Sequence, residues 1–120
     1  MISQLSPADF KVWRDSARAA MPAALPVVLD VREPWELQTA WVKEDGFMLV
    51  HIPMREIAAR LAELQVSHGT SHSIACLCHH GMRSQQVANY LAQSGFTKVV
   101  NLRGGIDAWS QQVDPSVPLY

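Results

Sequence analysis

The sequence predicts an α/β fold: an open, mostly parallel sheet of four to five strands with helices on both faces. Three observations carry this reading. Four short apolar or β-branched runs recur along the 120 residues. Most of them precede a stretch with helical periodicity, and strand–helix alternation is the pattern of a parallel sheet covered on both sides. None of the four holds an internal proline, so each is fit for a central position.

Taken in order, Ser6-Pro7-Ala8-Asp9 reads as an N-cap with proline at the first helical position, opening a helix to about Ala19. Phe10, Trp13 and Ala17 recur at spacings of three and four and supply its buried stripe. Val27-Val28-Leu29-Asp30-Val31 is the first strand, apolar enough for burial on both faces. Phe47 to Ile52 is the second. Arg55 to Leu64 then reads as a helix, with Ile57, Leu61 and Leu64 on one side. Ser73 to Cys78 is the third strand. A helix from Ser84 to Ser94 follows, carrying Val87, Ala88 and Leu91 on one face and stopped by Gly95. Val99 to Leu102 is the fourth strand, and Gly104-Gly105 opens a last helix from Ile106 to about Gln112. Asp114-Pro115 prevents its continuation. Residues 113–120 are expected to fold back, because Val, Leu and Tyr gain from apolar cover.

Ten Lys+Arg against 11 Asp+Glu leave a formal charge of −1, which argues against a nucleic-acid partner. With 48% hydrophobic and only 18% charged residues, a disordered chain is excluded. The length fits a single domain over residues 1–120. No run of about 18 apolar residues is present, so no membrane partner is expected. The N-terminus lacks a basic stretch followed by an apolar core, the mark of a secretory signal. Cys76 and Cys78 stand one residue apart, where a disulfide would be strained. Reduced thiols, and hence the cytoplasm, are the expectation.

Open α/β sheets place their sites beyond the carboxyl ends of the strands. That points to Asp30-Val31-Arg32, to Cys78 onward, and to Arg103-Gly104-Gly105. The informative segment is Cys78-His79-His80-Gly81-Met82-Arg83-Ser84. A thiol ends a buried strand, a short glycine-containing loop follows, and a helix begins. Loop N–H groups and the unpaired N–H groups of the helix's first turn can converge on one anion. A cysteine sulfur there has its thiolate favoured and becomes a nucleophile. Arg83 adds positive charge, either by bonding loop carbonyls or by attracting an anionic donor. Cys76, inside the strand, reads as an inert core thiol.

The other polar and aromatic residues are weighed the same way. His79 and His80 with the two cysteines form a conceivable zinc set. Adjacent side chains on a tight turn are expected to point apart, however, and no second Cys or His pair exists, so no metal is assigned. His79, His80, Gly81, Met82, Arg83 and Ser84 instead form the expected substrate mouth. Arg32 and Arg103, also at strand ends, are candidates to make that mouth electropositive. The alternative for Arg32 is a brace to Asp30 or Glu33. His51, His68 and His72 read as structural or exposed, and Trp13, Trp35, Trp41 and Trp109 as core and edge packing.

Three segments together resemble the rhodanese domain: Asp30-Val31-Arg32-Glu33; Cys78-x-x-Gly81-x-Arg83 after an apolar strand; and Gly95-Phe96…Val99-Val100-Asn101-Leu102-Arg103-Gly104-Gly105-Ile106…Ala108-Trp109. The resemblance implies a single-domain sulfurtransferase without a cofactor. In it the matching Cys78 accepts a sulfane sulfur from a small anionic donor such as thiosulfate. The resulting persulfide passes that sulfur to cyanide or a thiol, including a protein thiol. Rhodanese-like phosphatases have five residues between Cys and Arg, whereas four stand here. The alternatives are a rhodanese-like interaction or regulatory module, a role typical where the cysteine is missing, and, less favoured, a Cys-dependent phosphatase. The family's Gly-His-Ile-x-Gly-Ala segment is absent after Glu36, where Leu37 to Gly46 runs instead.

Overall fold

A computed structural model describes residues 2–120. Its sheet contains β1 (Ser3–Leu5), β2 (Val27–Asp30), β3 (Met48–His51), β4 (Ile74–Leu77) and β5 (Val99–Leu102). The spatial order is β1-β5-β4-β2-β3, with every neighbouring pair parallel. The helices are α1 (Phe10–Ala20), α2 (Pro34–Thr39), α3 (Leu61–His68), α4 (Met82–Gln93) and α5 (Gly105–Gln112). Among the described residues no helix is long and apolar enough to cross a membrane.

Side chains alternate across a strand, and here the alternation divides the core in two. Val27, Leu29 and Val31, with Ile74, Cys76 and Cys78, face Leu64 of α3 and Val87, Ala88 and Leu91 of α4. Val28, Ala75, Leu77 and Leu102 face Phe10 of α1 and Ile106 and Trp109 of α5. Helices therefore cover both faces, and β2 and β4 are buried along their whole length. On the second face Phe10 meets Phe47 and Trp109 edge-on, at centroid distances of 5.3 and 4.8 Å. These geometries favour aromatic quadrupoles and fix α1 against α5.

Two elements go beyond the four predicted strands and four predicted helices. β1 pairs with β5 as a fifth strand. It is three residues long with only Leu5 apolar, and an edge strand with exposed side chains leaves no periodic signal. Helix α2 opens with Pro34 at its start, and the Glu36 carboxylate accepts a hydrogen bond from the Glu33 N–H at 2.9 Å. Both are helix-start signals, although six residues carry too little periodicity to stand out.

One helix differs in outline. The predicted stretch from Arg55 to Leu64 is a 3-10 turn at Met54–Glu56, a bridging turn, and then α3, which runs on to His68. Ile57 and Leu64 are buried as their spacing predicts. Hydrogen bonds from Ile52 N–H to Asp30 O and from Met54 N–H to Val31 O tie the chain down after β3. A spacing of three is met equally well by the tighter helix. Residues 113–120 do fold back: Val117 is buried and its carbonyl accepts the Ser110 hydroxyl at 2.6 Å, while Leu119 stays exposed.

Candidate active site

Strand β4 lies at the point where the chain's crossovers change direction, with β2 on one side and β5 on the other. Such a point leaves a crevice beyond the strand ends. Cys78 follows β4 at that end of the sheet and is itself buried, 1% exposed. Its Sγ accepts a hydrogen bond from the Gly81 N–H at 3.1 Å and lies 3.2 Å from the Ser84 hydroxyl. The first of these closes the loop on itself. It requires Gly81 at φ 101°, a left-handed conformation costly for any residue with a Cβ. Gly81 also caps α4, which begins at Met82, two residues before the predicted Ser84. The first-turn N–H groups of α4 therefore emerge beside the sulfur. Of the converging amides expected around Sγ, Gly81 supplies the one at hydrogen-bond distance, and a side-chain hydroxyl supplies the second contact.

Ser84 is fully buried and is bonded again to Asn101 Oδ1 at 2.5 Å. The Asn101 amide nitrogen in turn donates to the Gly81 carbonyl at 3.1 Å and to Gln4 Oε1 at 2.9 Å. One residue of β5 thus holds both the hydroxyl and the turn that face the sulfur. This explains why a polar asparagine is buried within an otherwise apolar strand. With the Asn101 nitrogen spent on Gly81 and Gln4, Ser84 gives its one proton to Asn101 Oδ1 and can accept from the Cys78 thiol; donating to a thiolate requires that it turn away from Asn101.

The loop is held from outside on two sides. Helix α5 starts beneath it, with Ile106 N–H bonding Cys78 O at 2.8 Å and Asp107 N–H bonding His79 O at 3.2 Å. A Cβ on Gly105 would stand 2.3 Å from His79 O and 2.5 Å from Cys78 O, so only glycine permits this docking. On the other side Arg83 makes a two-pronged ion pair with Glu36 of α2, at 2.7 and 2.9 Å. Paired forks of this kind are strong and directional. Hydrogen bonds from Arg83 hold the Glu36 carboxyl down at about 2, against an ordinary 4.5, and the same bonds raise Arg83.

A group whose folded-state pKa is depressed adds stability above its unfolded value and loses it as pH falls through the folded one. Glu36 is therefore expected to contribute roughly 2–4 kcal/mol at neutral pH, lost between about pH 4.5 and 2. Urea titrations of the protein and of Glu36→Gln across that range check this. The gap between them should close toward pH 2.

Arg32 is a correction. It does not line the mouth: its side chain is wholly buried and paired with the equally buried Asp30, Nη2 to Oδ2 at 2.8 Å and Nε to Oδ1 at 2.9 Å. The rest of its fork bonds the carbonyls of Glu36 and Ala40 and the Tyr120 hydroxyl. Burial alone would lower the guanidinium, but Asp30 outweighs it and holds Arg32 above its usual value. A fully paired charge cannot steer a ligand, and the brace to Asp30 is what forms. Arg103 is exposed at the end of β5, and its side chain makes no ion pair among the described residues. The expected trio of mouth cations is thus reduced, because Arg83 too is partnered.

The histidines depart from expectation as well. His79 and His80 do not point apart; their rings stack at 3.9 Å and 25°. With Asp107 they place three donor atoms within 4.8 Å of one another. Burial, with His80 adding to it, lowers His79 below the ordinary histidine value. Met82 is well exposed beside the loop. His51 bonds Arg32 O at 2.7 Å and buried His72 bonds Leu25 O, so both are structural. Burial pushes the Cys76 thiol far up, consistent with an inert core position. Sequence reasoning missed Glu36, Asn101 and Tyr120. A cavity of about 560 Å³ lined by Lys11, Arg14, Lys43 and Trp109 lies on the α1–α5 side, away from Cys78.

The chain is similar to known proteins in sequence and fold. The rhodanese-like domain family matches residues 14–112. The chain is 39% identical over 93 residues to the Arabidopsis thaliana rhodanese-like/PpiC domain-containing protein 12, covering 78% of this chain and 30% of that protein. It is 32% identical over 91 residues to a sulfurtransferase of Allochromatium vinosum, covering 76% and 78%. A rhodanese-like domain protein from Staphylococcus aureus superposes with a TM-score of 0.70 over 99% of both chains, at 22% identity. The chain spans less than a third of several curated relatives, including 27% of a probable adenylyltransferase/sulfurtransferase of Mycobacterium tuberculosis. On the strength of the match over most of its length, with Cys78, Gly81 and Arg83 set at the end of β4, the chain belongs to the rhodanese-like domain family.

Proposed function

We propose that the protein is a sulfurtransferase that carries a sulfane sulfur as a persulfide on Cys78. The observation behind this reading is the Cys78 sulfur held between the Gly81 amide and the Ser84 hydroxyl, where a helix begins. The Cys78 thiolate attacks the outer sulfur of a donor such as thiosulfate. The donor's S–S bond breaks, and sulfite leaves with the electron pair. The new S–S bond, about 2.05 Å long, carries the reactive sulfur one atom beyond Sγ. Cyanide or an acceptor thiolate then attacks that sulfur, and the Cys78 thiolate departs. The preorganised Gly81 amide, joined by the Ser84 hydroxyl when it turns from Asn101, stabilises the charge that returns to Sγ in this second displacement.

The four residues between Cys78 and Arg83, pinned by the Glu36 pair, make a loop suited to one sulfur atom more than to a phosphate. The sulfurtransferase names among the relatives support the same class of reaction. Catalysis needs a reduced Cys78, which favours a reducing compartment such as the cytoplasm. Incubation with thiosulfate followed by mass spectrometry tests the reading. One added sulfur is expected, placed on Cys78 by fragmentation between Cys76 and Cys78 and removed by cyanide as thiocyanate. Protein that gains no sulfur under these conditions refutes it.

A further inference from the structure

Tyr120 reaches the Cys78 loop from outside, touching one end directly and the other through Glu36. Its ring stacks on His79 at 3.8 Å and 5°. His80 stacks on His79 at 3.9 Å, and two rings cannot share one face at such distances, so the His79 imidazole is sandwiched. The Tyr120 hydroxyl donates to Glu36 Oε1 at 2.9 Å and accepts from Arg32 Nη1 at 2.9 Å. Glu36 is the residue whose two oxygens hold Arg83. One aromatic side chain thereby grips the residue after the nucleophile and, through a single carboxylate, the arginine that closes the loop. Trp35 packs edge-on against it at 6.2 Å. The segment behind it is anchored by buried Val117 and the Ser110 bond to α5, the helix that also receives the Cys78 and His79 carbonyls.

We propose that Tyr120 is a positioning residue for Cys78, holding the loop in the geometry that keeps the Gly81 amide and the Ser84 hydroxyl on the sulfur. It touches neither the sulfur nor any reacting atom, so its effect travels through His79 and through Glu36 and Arg83. Burial raises the phenol to about 12, so the hydroxyl remains a donor to Glu36 over the working range. The effect on turnover rests on the sulfur-transfer reading; the effect on loop order does not.

Two variants separate the contacts. Tyr120→Phe keeps the stack and loses the hydroxyl bonds, whereas Tyr120→Leu loses both. Amide hydrogen exchange reads the loop directly, because the Gly81 N–H is the group bonded to Cys78 Sγ. In Tyr120→Leu the Gly81 amide is expected to exchange about ten-fold faster, and in Tyr120→Phe about three-fold faster, with Ala75 in β4 unchanged. Thiocyanate formation from thiosulfate and cyanide should fall in kcat by about ten-fold and three-fold in the same order, with the donor KM within about two-fold. Gly81 exchange that is unchanged, or accelerated only as much as Ala75, overturns the proposal, and so does an unaltered kcat in a variant with a loosened loop. If the parent protein itself forms no thiocyanate, the sulfur-transfer reading fails, while the exchange comparison still decides whether Tyr120 orders the loop.

Discussion

Cys78→Ser is expected to lower thiocyanate formation by at least about 10³-fold while the protein remains folded. Serine fits the site: its Oγ can keep the Gly81 and Ser84 hydrogen bonds that Sγ now makes. What disappears is chemistry, since a hydroxyl is scarcely ionised near neutral pH and is a poor leaving group for sulfur. Cys76→Ser provides the contrast. Cys76 is wholly buried among the side chains packed against α4, so a hydroxyl there is expected to cost roughly 1–3 kcal/mol of stability. Activity per folded molecule should be retained. Steady-state assays with thermal unfolding of both variants check the pair, and an active Cys78→Ser protein would remove the cysteine from the mechanism.

The largest loss of stability is expected from Asp30→Ala. Asp30 and Arg32 are both fully buried, and removing the carboxylate leaves a guanidinium without its countercharge in an apolar interior. Breaking a buried pair in this way costs about 3–5 kcal/mol. For a domain of this size, that corresponds to a fall in Tm of roughly 10–25 °C. The double replacement Asp30→Leu with Arg32→Met should cost less than Asp30→Ala alone, because both charges then leave together. Calorimetry on the three variants reads the inequality directly; a double variant no more stable than the single one contradicts it. If Arg32 acts only as this brace, a variant that retains its fold will bind thiosulfate with unaltered salt dependence.

The legible parts of this molecule are those whose signal is local. Val27 to Asp30 and Ile74 to Leu77 are continuous apolar runs because both of their faces are covered, and they emerge as strands at nearly their observed bounds. Cys78, Gly81 and Arg83 are equally plain, since a thiol, a left-handed turn and a helix start must be consecutive to build the loop. The residues that went unseen act at a distance. Glu36 meets Arg83 across 47 positions, Asn101 meets Ser84 across 17, and Tyr120 meets Arg32 across 88. Arg32 shows the converse: its place at the carboxyl end of β2 suggests the mouth, and only the packing around Asp30, Ala40 and Tyr120 turns it inward.

Because Glu36 grips Arg83 while α5 grips the carbonyls of Cys78 and His79, the span between those anchors is dictated by the distance between two helices rather than by the turn itself. An insertion there could not be absorbed quietly; it would either bulge toward solvent or tear the arginine from its carboxylate. Widening the loop would thus demand coordinated resiting of α2, which makes its breadth an inherited property of the scaffold.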